Sequence, residues 1–200
     1  MDNFKSEFNC NPILYLMLKP PAVFLFKVIF RPVLIGVNNI PSVGGVVLAG
    51  NHKSSWDCFM VMASTGRCVH FLAKSELFGN FFTKWFFTKA GLISVNRNIK
   101  DKSVLLNSKK YLENGCVVAV FPEGRVKKDG EKLLPFKIGA VKMAKETKVP
   151  IVPFTIKGKY VPFFGKIQIN FNKPIYISSD NLSQENEKLR QIILSDMGKR

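Results

Sequence analysis

Asn51-His52-Lys53-Ser54-Ser55-Trp56-Asp57 sets an imidazole and a carboxylate five residues apart, directly after the apolar run 46–49 and a Gly-containing turn. An imidazole can take and return a proton near neutral pH, and a carboxylate beside it fixes its tautomer and stabilises the imidazolium. On one continuous helix, residues five apart are ~500° round the axis, about 140° off a shared face. His52 therefore belongs in a loop, with Ser54 or Ser55 as N-cap. Asp57 then falls in the first helical turn, from which its carboxylate bends back to one ring nitrogen and leaves the other as a base. The competing reading is a surface histidine, because a pair at this spacing also arises by chance.

Two further polar clusters follow apolar runs. Phe121-Pro122-Glu123-Gly124-Arg125 places a carboxylate, a flexible glycine and a guanidinium after the most apolar run, 117–121. Arg125 could grip phosphate through its planar fork, and the bland alternative is a strand-exit turn with solvated Glu123 and Arg125. Gly91-Leu92-Ile93-Ser94-Val95-Asn96-Arg97 delivers a second guanidinium, with Lys100, Lys102, Lys109 and Lys110 after it. Those lysines read mainly as a solvated helix face. Arg97 is the better phosphate ligand, since a fork matches phosphate oxygens where a lysine is a point charge. Lys74, just past the run 69–72, adds one such charge.

The elements that must carry these groups are visible in the pattern. Short β-leaning runs at 46–49, 69–72, 92–95, 117–121 and 151–155 alternate with segments long enough for helices near 55–65, 75–89, 101–113 and 136–147. Such alternation predicts an α/β fold: a mixed, mostly parallel central sheet flanked by helices, with ligands at the strands' carboxyl ends. A late strand pair is expected at 167–171 and 175–177 around Pro174, and a last helix near 183–196 with Ser183 as its candidate cap. Phe78, Phe81, Phe82, Trp85 and Phe86 share one helical face. That face either docks on the sheet or forms an acyl-chain slot or membrane-facing wall.

Residues 12–35 are rich in Leu, Phe and Ile, with Lys19, Lys27 and Arg31 among them and a Pro20-Pro21 break. They read as two short helical pieces lying flat on a membrane, the alternative being burial against the domain. The charge-free run between Glu7 and Lys19 is 11 residues, short of the ~20 needed to cross a bilayer. The expected organisation is an apolar membrane-associating segment at 1–35 and a single catalytic domain at 36–200. Acidic Asp2 and Glu7 at the N-terminus are unlike a secretory signal.

Composition narrows the partners. Two hundred residues, 46% hydrophobic and 22% charged, exclude disorder and suffice for one core without staples. A net charge of +16 points to an anionic partner: nucleic acid, an acidic membrane surface or a phosphorylated substrate. No zinc-finger, RNA-recognition or helix-turn-helix signature supports a basic nucleic-acid binder. Four dispersed cysteines, with no C-x-x-C pair, read as reduced thiols in a cytosolic setting. His70, inside an apolar run, reads as packed core, and no ligand set for a metal is visible.

In this order the clusters resemble the lysophosphatidate acyltransferase family of glycerolipid synthesis. Asn51-His52-x-Ser54-x-x-Asp57 is similar to its first motif, Gly91 to Arg97 to its second, Phe121-Pro122-Glu123-Gly124 to its third and Val149-Pro150-Ile151-Val152-Pro153 to its fourth. With Phe136-Lys137-x-Gly139-Ala140, the resemblance covers about residues 38–160. Arg125 follows Gly124 directly, where many relatives carry a small residue between. The resemblance implies acyl transfer from an acyl thioester, acyl-CoA or acyl carrier protein, to the free hydroxyl of lysophosphatidate, with no other cofactor. His52 would be the base and Asp57 its partner. Arg97 and Glu123 would take the phosphate and glycerol ends of the acceptor; Gly124, Arg125 and Lys74, from their own positions and chemistry, complete the candidate substrate-binding set. It also implies a peripheral or monotopic place on the cytoplasmic face of an anionic membrane, with acyl carrier protein as a candidate partner. Glycerol-3-phosphate, another lysophospholipid or a lipid without phosphate are the alternative acceptors.

Overall fold

The computed structural model describes residues 9–96, 102–127 and 131–198. Thirteen elements follow in chain order: α1 (Ile13–Phe30), β1 (Val33–Ile35), β2 (Val46–Gly50), α2 (Asp57–Ala63), β3 (Val69–Lys74), α3 (Phe81–Lys89), β4 (Ile93–Val95), α4 (Lys102–Glu113), β5 (Val117–Val120), α5 (Gly139–Thr147), β6 (Ile151–Gly158), β7 (Ile167–Phe171) and α6 (Leu182–Gly198). The strands form one sheet in the order β1-β7-β6-β2-β5-β3-β4. Every pairing is parallel except β6 with β7, which makes the sheet mixed and mostly parallel, as the alternation predicts.

The two central strands are apolar at every position because both of their faces are covered. Val46 and Leu48 face one layer, with Phe26 and Phe30 of α1 and Met60 and Val61 of α2. Val47 and Ala49 face the other, where α4, α5 and α6 supply Leu112, Val141, Met143, Leu189 and Ile193. The period-two alternation of the strand thus splits one sequence between two cores. Leu48 is fully buried, and Leu48→Ala is expected to cost about 2–5 kcal/mol in a chemical-denaturation midpoint experiment.

Several expectations are corrected here. Residues 13–30 form one helix, not two pieces: Pro20 and Pro21 lie on its exposed side, while Tyr15 before them and Phe26 and Phe30 after them are buried. Tertiary anchors on both flanks outweigh the lost backbone bonds. Running through the prolines, α1 reaches 18 residues and is long and apolar enough, by length and composition alone, to cross a membrane. Lys19 is not free for lipid: its Nζ donates to the carbonyls of Thr65 and Arg67 at 2.6 and 2.8 Å. Residues 33–35, assigned to the N-terminal segment, are strand β1 and pair with β7.

Cys10 and Cys116 are joined in a disulfide, with Cα atoms 5.5 Å apart, so two of the four thiols are not free. Their separation of 106 residues hid the pairing, which arises because the chain entering α1 runs beside the start of β5. Cys58 and Cys68 are free. The last helix is capped by Asn181, whose side chain accepts from the Gln184 N–H at 3.1 Å, and Ser183 lies inside its first turn. The pair expected at 175–177 is a single bridge, Ile175 with Ile151, since Pro174 has no N–H to extend it. The aromatic face at 78–86 is broken by the capping box of Asn80 and Thr83, which starts α3 after Phe78. Phe81 and Phe82 are 78% and 71% exposed, so this face does not dock on the sheet.

Candidate functional site

Parallel pairing of β2 with β5 aligns Ala49 with Val120, so the residues leaving both strands emerge side by side. Just beyond the last β2–β6 pair, Asn51 turns inward. Its side chain accepts from the Ile156 N–H at 2.7 Å and donates to the Ile156 carbonyl at 3.0 Å, standing in for one more rung of ladder. His52 follows in the loop, as its spacing predicts, and its side chain is 15% exposed.

The Asp57 carboxylate is fully buried and completely engaged. Oδ2 lies 2.8 Å from His52 Nδ1 and accepts the main-chain N–H groups of Lys53 at 2.6 Å and Ser54 at 2.9 Å. Oδ1 accepts the Tyr160 hydroxyl at 2.7 Å. A buried carboxylate so satisfied fixes the proton on Nδ1 and leaves Nε2 as the proton acceptor. Neither serine caps the helix by its side chain. Instead the first helical residue, Asp57, reaches back and gathers the loop's N–H groups. The other side of the imidazole is set by Phe121, whose ring stacks on it with centroids 4.0 Å apart and planes 11° apart.

Glu123 is a strap between two loops. One oxygen accepts the His52 N–H at 2.8 Å and the other the Leu134 N–H at 2.9 Å, and the residue is buried. Its carboxylate is therefore spent on holding the His52 loop. Glu123→Gln, which keeps one acceptor, is expected to lower stability by about 1–3 kcal/mol in thermal unfolding and to reduce turnover with it. Gly124, at φ +75°, occupies the left-handed region, and a Cβ there would meet Lys137 Cε at 3.0 Å. The Arg125 fork is held by Glu131 in two bonds of 2.8 Å. Lys74 stands exposed at the end of β3. Arg97 lies outside the described residues.

His52 opens onto a cleft of about 1280 Å³. Its walls are mainly apolar, with Phe59, Met62, Leu77, Phe86 and Phe87 among them, and its cations include Lys74, Arg125, Lys137 and Lys142. Of the five aromatics predicted to share a face, Phe86 lines this slot, and its neighbour Phe87 joins it. Cys58 also lines it, but burial, then the charge of Asp57, pushes its thiol up to about 12, which denies it a thiolate near neutral pH. His70 is buried as expected, with Nδ1 2.8 Å from the Gly91 carbonyl and Nε2 3.2 Å from that of Cys10; burial pulls its pKa down. Among the described residues, no three His, Cys, Asp or Glu side chains gather as a metal site.

The sequence carries no signal for the contacts of Phe121, Tyr160 and Lys137. Phe121 and Lys137 stand within motif-like stretches, but nothing local marks a ring that stacks on a histidine or a lysine beside a tight glycine. Tyr160 stands in none, 103 residues from Asp57.

Residues 31–157 match the family model described as Acyltransferase. The chain is 32% identical over 159 residues to the chloroplastic 1-acyl-sn-glycerol-3-phosphate acyltransferase BAT2 of Brassica napus, covering 74% of this chain and 46% of that protein. It is 30% identical over 144 residues to the 1-acyl-sn-glycerol-3-phosphate acyltransferase of Bacillus subtilis, covering 69% of this chain and 70% of that one. The chain spans about half the length of several curated relatives it matches. The crystal structure of the 1-acyl-sn-glycerophosphate acyltransferase PlsC from Thermotoga maritima superposes with a TM-score of 0.74 at 22% identity, over 92% of this chain and 79% of that one. That likeness is one of fold.

Proposed function

The chain belongs to the acyltransferase family, and from that premise we propose that it moves a fatty acyl group from an acyl thioester to the free hydroxyl of lysophosphatidate, giving phosphatidate. The observation that carries this reading is His52, held by the buried Asp57 and opening onto a large apolar cleft with cations along it. In this reaction Nε2 of His52 takes the proton of the acceptor hydroxyl as its oxygen attacks the thioester carbonyl. The C–O bond forms, the C–S bond breaks, and the imidazolium returns its proton to the leaving thiolate. Asp57 stabilises the imidazolium between these events. No acyl-enzyme is needed, consistent with the raised Cys58 thiol.

The acyl chain fits the apolar cleft, and the cations suit an anionic acceptor or the phosphates of coenzyme A. With the Arg125 fork on Glu131 and the Glu123 oxygens on main-chain N–H groups, Lys137 and Lys74 join Arg97 as candidate phosphate contacts. Incubating the purified protein with lysophosphatidate and radiolabelled acyl-CoA, and separately acyl carrier protein thioester, tests the reading and identifies the donor. Label must appear in phosphatidate. Label in another acceptor's product, with lysophosphatidate inert, would reassign the acceptor.

An acceptor of this kind lives in a bilayer. In this reading the protein works at a membrane surface, on the cytoplasmic side, and the exposed residues Ile13, Met17, Phe24 and Leu25 of α1 support it as a face for shallow insertion. Deleting the segment would strip Phe26, Phe30 and β1 from the domain, so point changes are the cleaner test. Met17→Glu with Phe24→Glu is expected to release the protein from anionic vesicles in a sedimentation assay while leaving its thermal unfolding unchanged. High salt weakens wild-type binding without abolishing it, since apolar insertion is not screened.

A further inference from the structure

Beyond Gly158, where β6 ends, the chain turns so that Tyr160 lies between the reactive pair and the N-terminal helix. Its hydroxyl donates to Asp57 Oδ1, and among the described residues no other group donates to that oxygen. Its ring meets Phe30 edge to face, with centroids 5.5 Å apart, and lies 6.3 Å from Phe26. Both phenylalanines belong to α1 and are buried, and Trp56, next to Asp57, packs on Phe30 at 5.1 Å. The main chain repeats the connection: the Phe163 N–H donates to the Ile29 carbonyl at 2.7 Å.

We propose that Tyr160 is a positioning residue of the acyl-transfer reaction, which tunes the base strength of His52 through Asp57 and joins α1 to the reactive pair. The inference rests on the function proposed above. The physical argument concerns the two ends of one carboxylate. Oδ2 is fixed by two main-chain N–H groups as well as by His52, so it stays in place whatever happens at Oδ1. What Tyr160 adds at Oδ1 is the positive end of an O–H dipole, which draws negative charge away from the imidazole. Burial, and then the charge of Asp57, raise the phenol well above its ordinary range, so it keeps the proton it donates.

The sign of the effect follows. Removing the hydroxyl while keeping the ring leaves Asp57 a stronger partner for the imidazolium, so His52 titrates higher. The other charged and titratable groups around the pair are retained in such a variant: Glu123 on the His52 N–H, Lys53 with its Nζ on the Gly158 carbonyl, Cys58 beside Asp57, and Arg125 and Lys137 along the cleft.

The test is Tyr160→Phe in the full chain. With two histidines in the sequence, His52 is assigned by NMR against a His52→Ala control, and its titration needs no substrate. The imidazole is expected to titrate about half a unit higher than in the wild type. The acid limb of kcat/KM moves with it, about a threefold loss of rate on the acid side, at unchanged KM for the acceptor. Phe30→Leu, which keeps the hydroxyl but removes its edge-to-face support, gives a smaller shift of the same sign. An unchanged or lowered His52 pKa in Tyr160→Phe overturns the proposal, even where thermal stability falls. An unmoved titration in Phe30→Leu overturns the link to α1. A wild-type protein that makes no phosphatidate sinks the proposed reaction while the NMR titration still decides whether Tyr160 tunes His52.

Discussion

Replacing His52 with alanine is expected to lower the rate of phosphatidate formation by about 10²–10⁴, the usual contribution of a positioned general base. The protein should remain folded. His52 sits in a loop, its main-chain N–H to Glu123 survives the change, and the Asp57 carboxylate keeps the Lys53 and Ser54 N–H groups and the Tyr160 hydroxyl. What is lost is Nε2 and the ring that stacks on Phe121. Initial rates at saturating acceptor, read beside a circular-dichroism melt, separate the two: a folded variant with near wild-type turnover removes His52 from the chemistry.

Asp57→Asn probes charge at nearly constant shape. An asparagine oxygen in the place of Oδ2 still accepts from His52 and the two main-chain N–H groups, and its amide nitrogen can donate to the Tyr160 oxygen. The fold therefore tolerates the change, but the imidazolium loses the negative charge that stabilises it. The expected loss in kcat is ~10²–10⁴, by analogy with the serine-protease template. A rate within tenfold of wild type would make Asp57 an anchor of the loop and nothing more.

The His52–Asp57 contact was legible in the sequence because its members are five residues apart, and helix geometry alone puts His52 in the loop. The strands were legible too, since buried parallel strands are apolar at every position. What could not be read depends on contacts between distant segments. Asn51 continues a ladder to Ile156, Glu123 spans from the His52 loop to Leu134, and Cys10 meets Cys116. Local rules failed where packing overrode them: Pro20-Pro21 signals a break, yet buried anchors on either side hold one helix. The expected cap at Ser54 or Ser55 failed for another reason, because Asp57 serves the loop better than a serine serves the helix.

The place of β1 in the sheet bears on the order in which the molecule assembles. β1 pairs with β7, and the inward face of α1 packs against Tyr160, both made long after β1 and α1 themselves. β1 therefore leaves the ribosome long before its partner exists, while Phe26 and Phe30 meet Trp56 and α2 first and Tyr160 much later. Contacts of such sequence separation form late in folding. At a membrane surface, the exposed side of α1 is then expected to meet lipid before the Tyr160 segment closes over its other side.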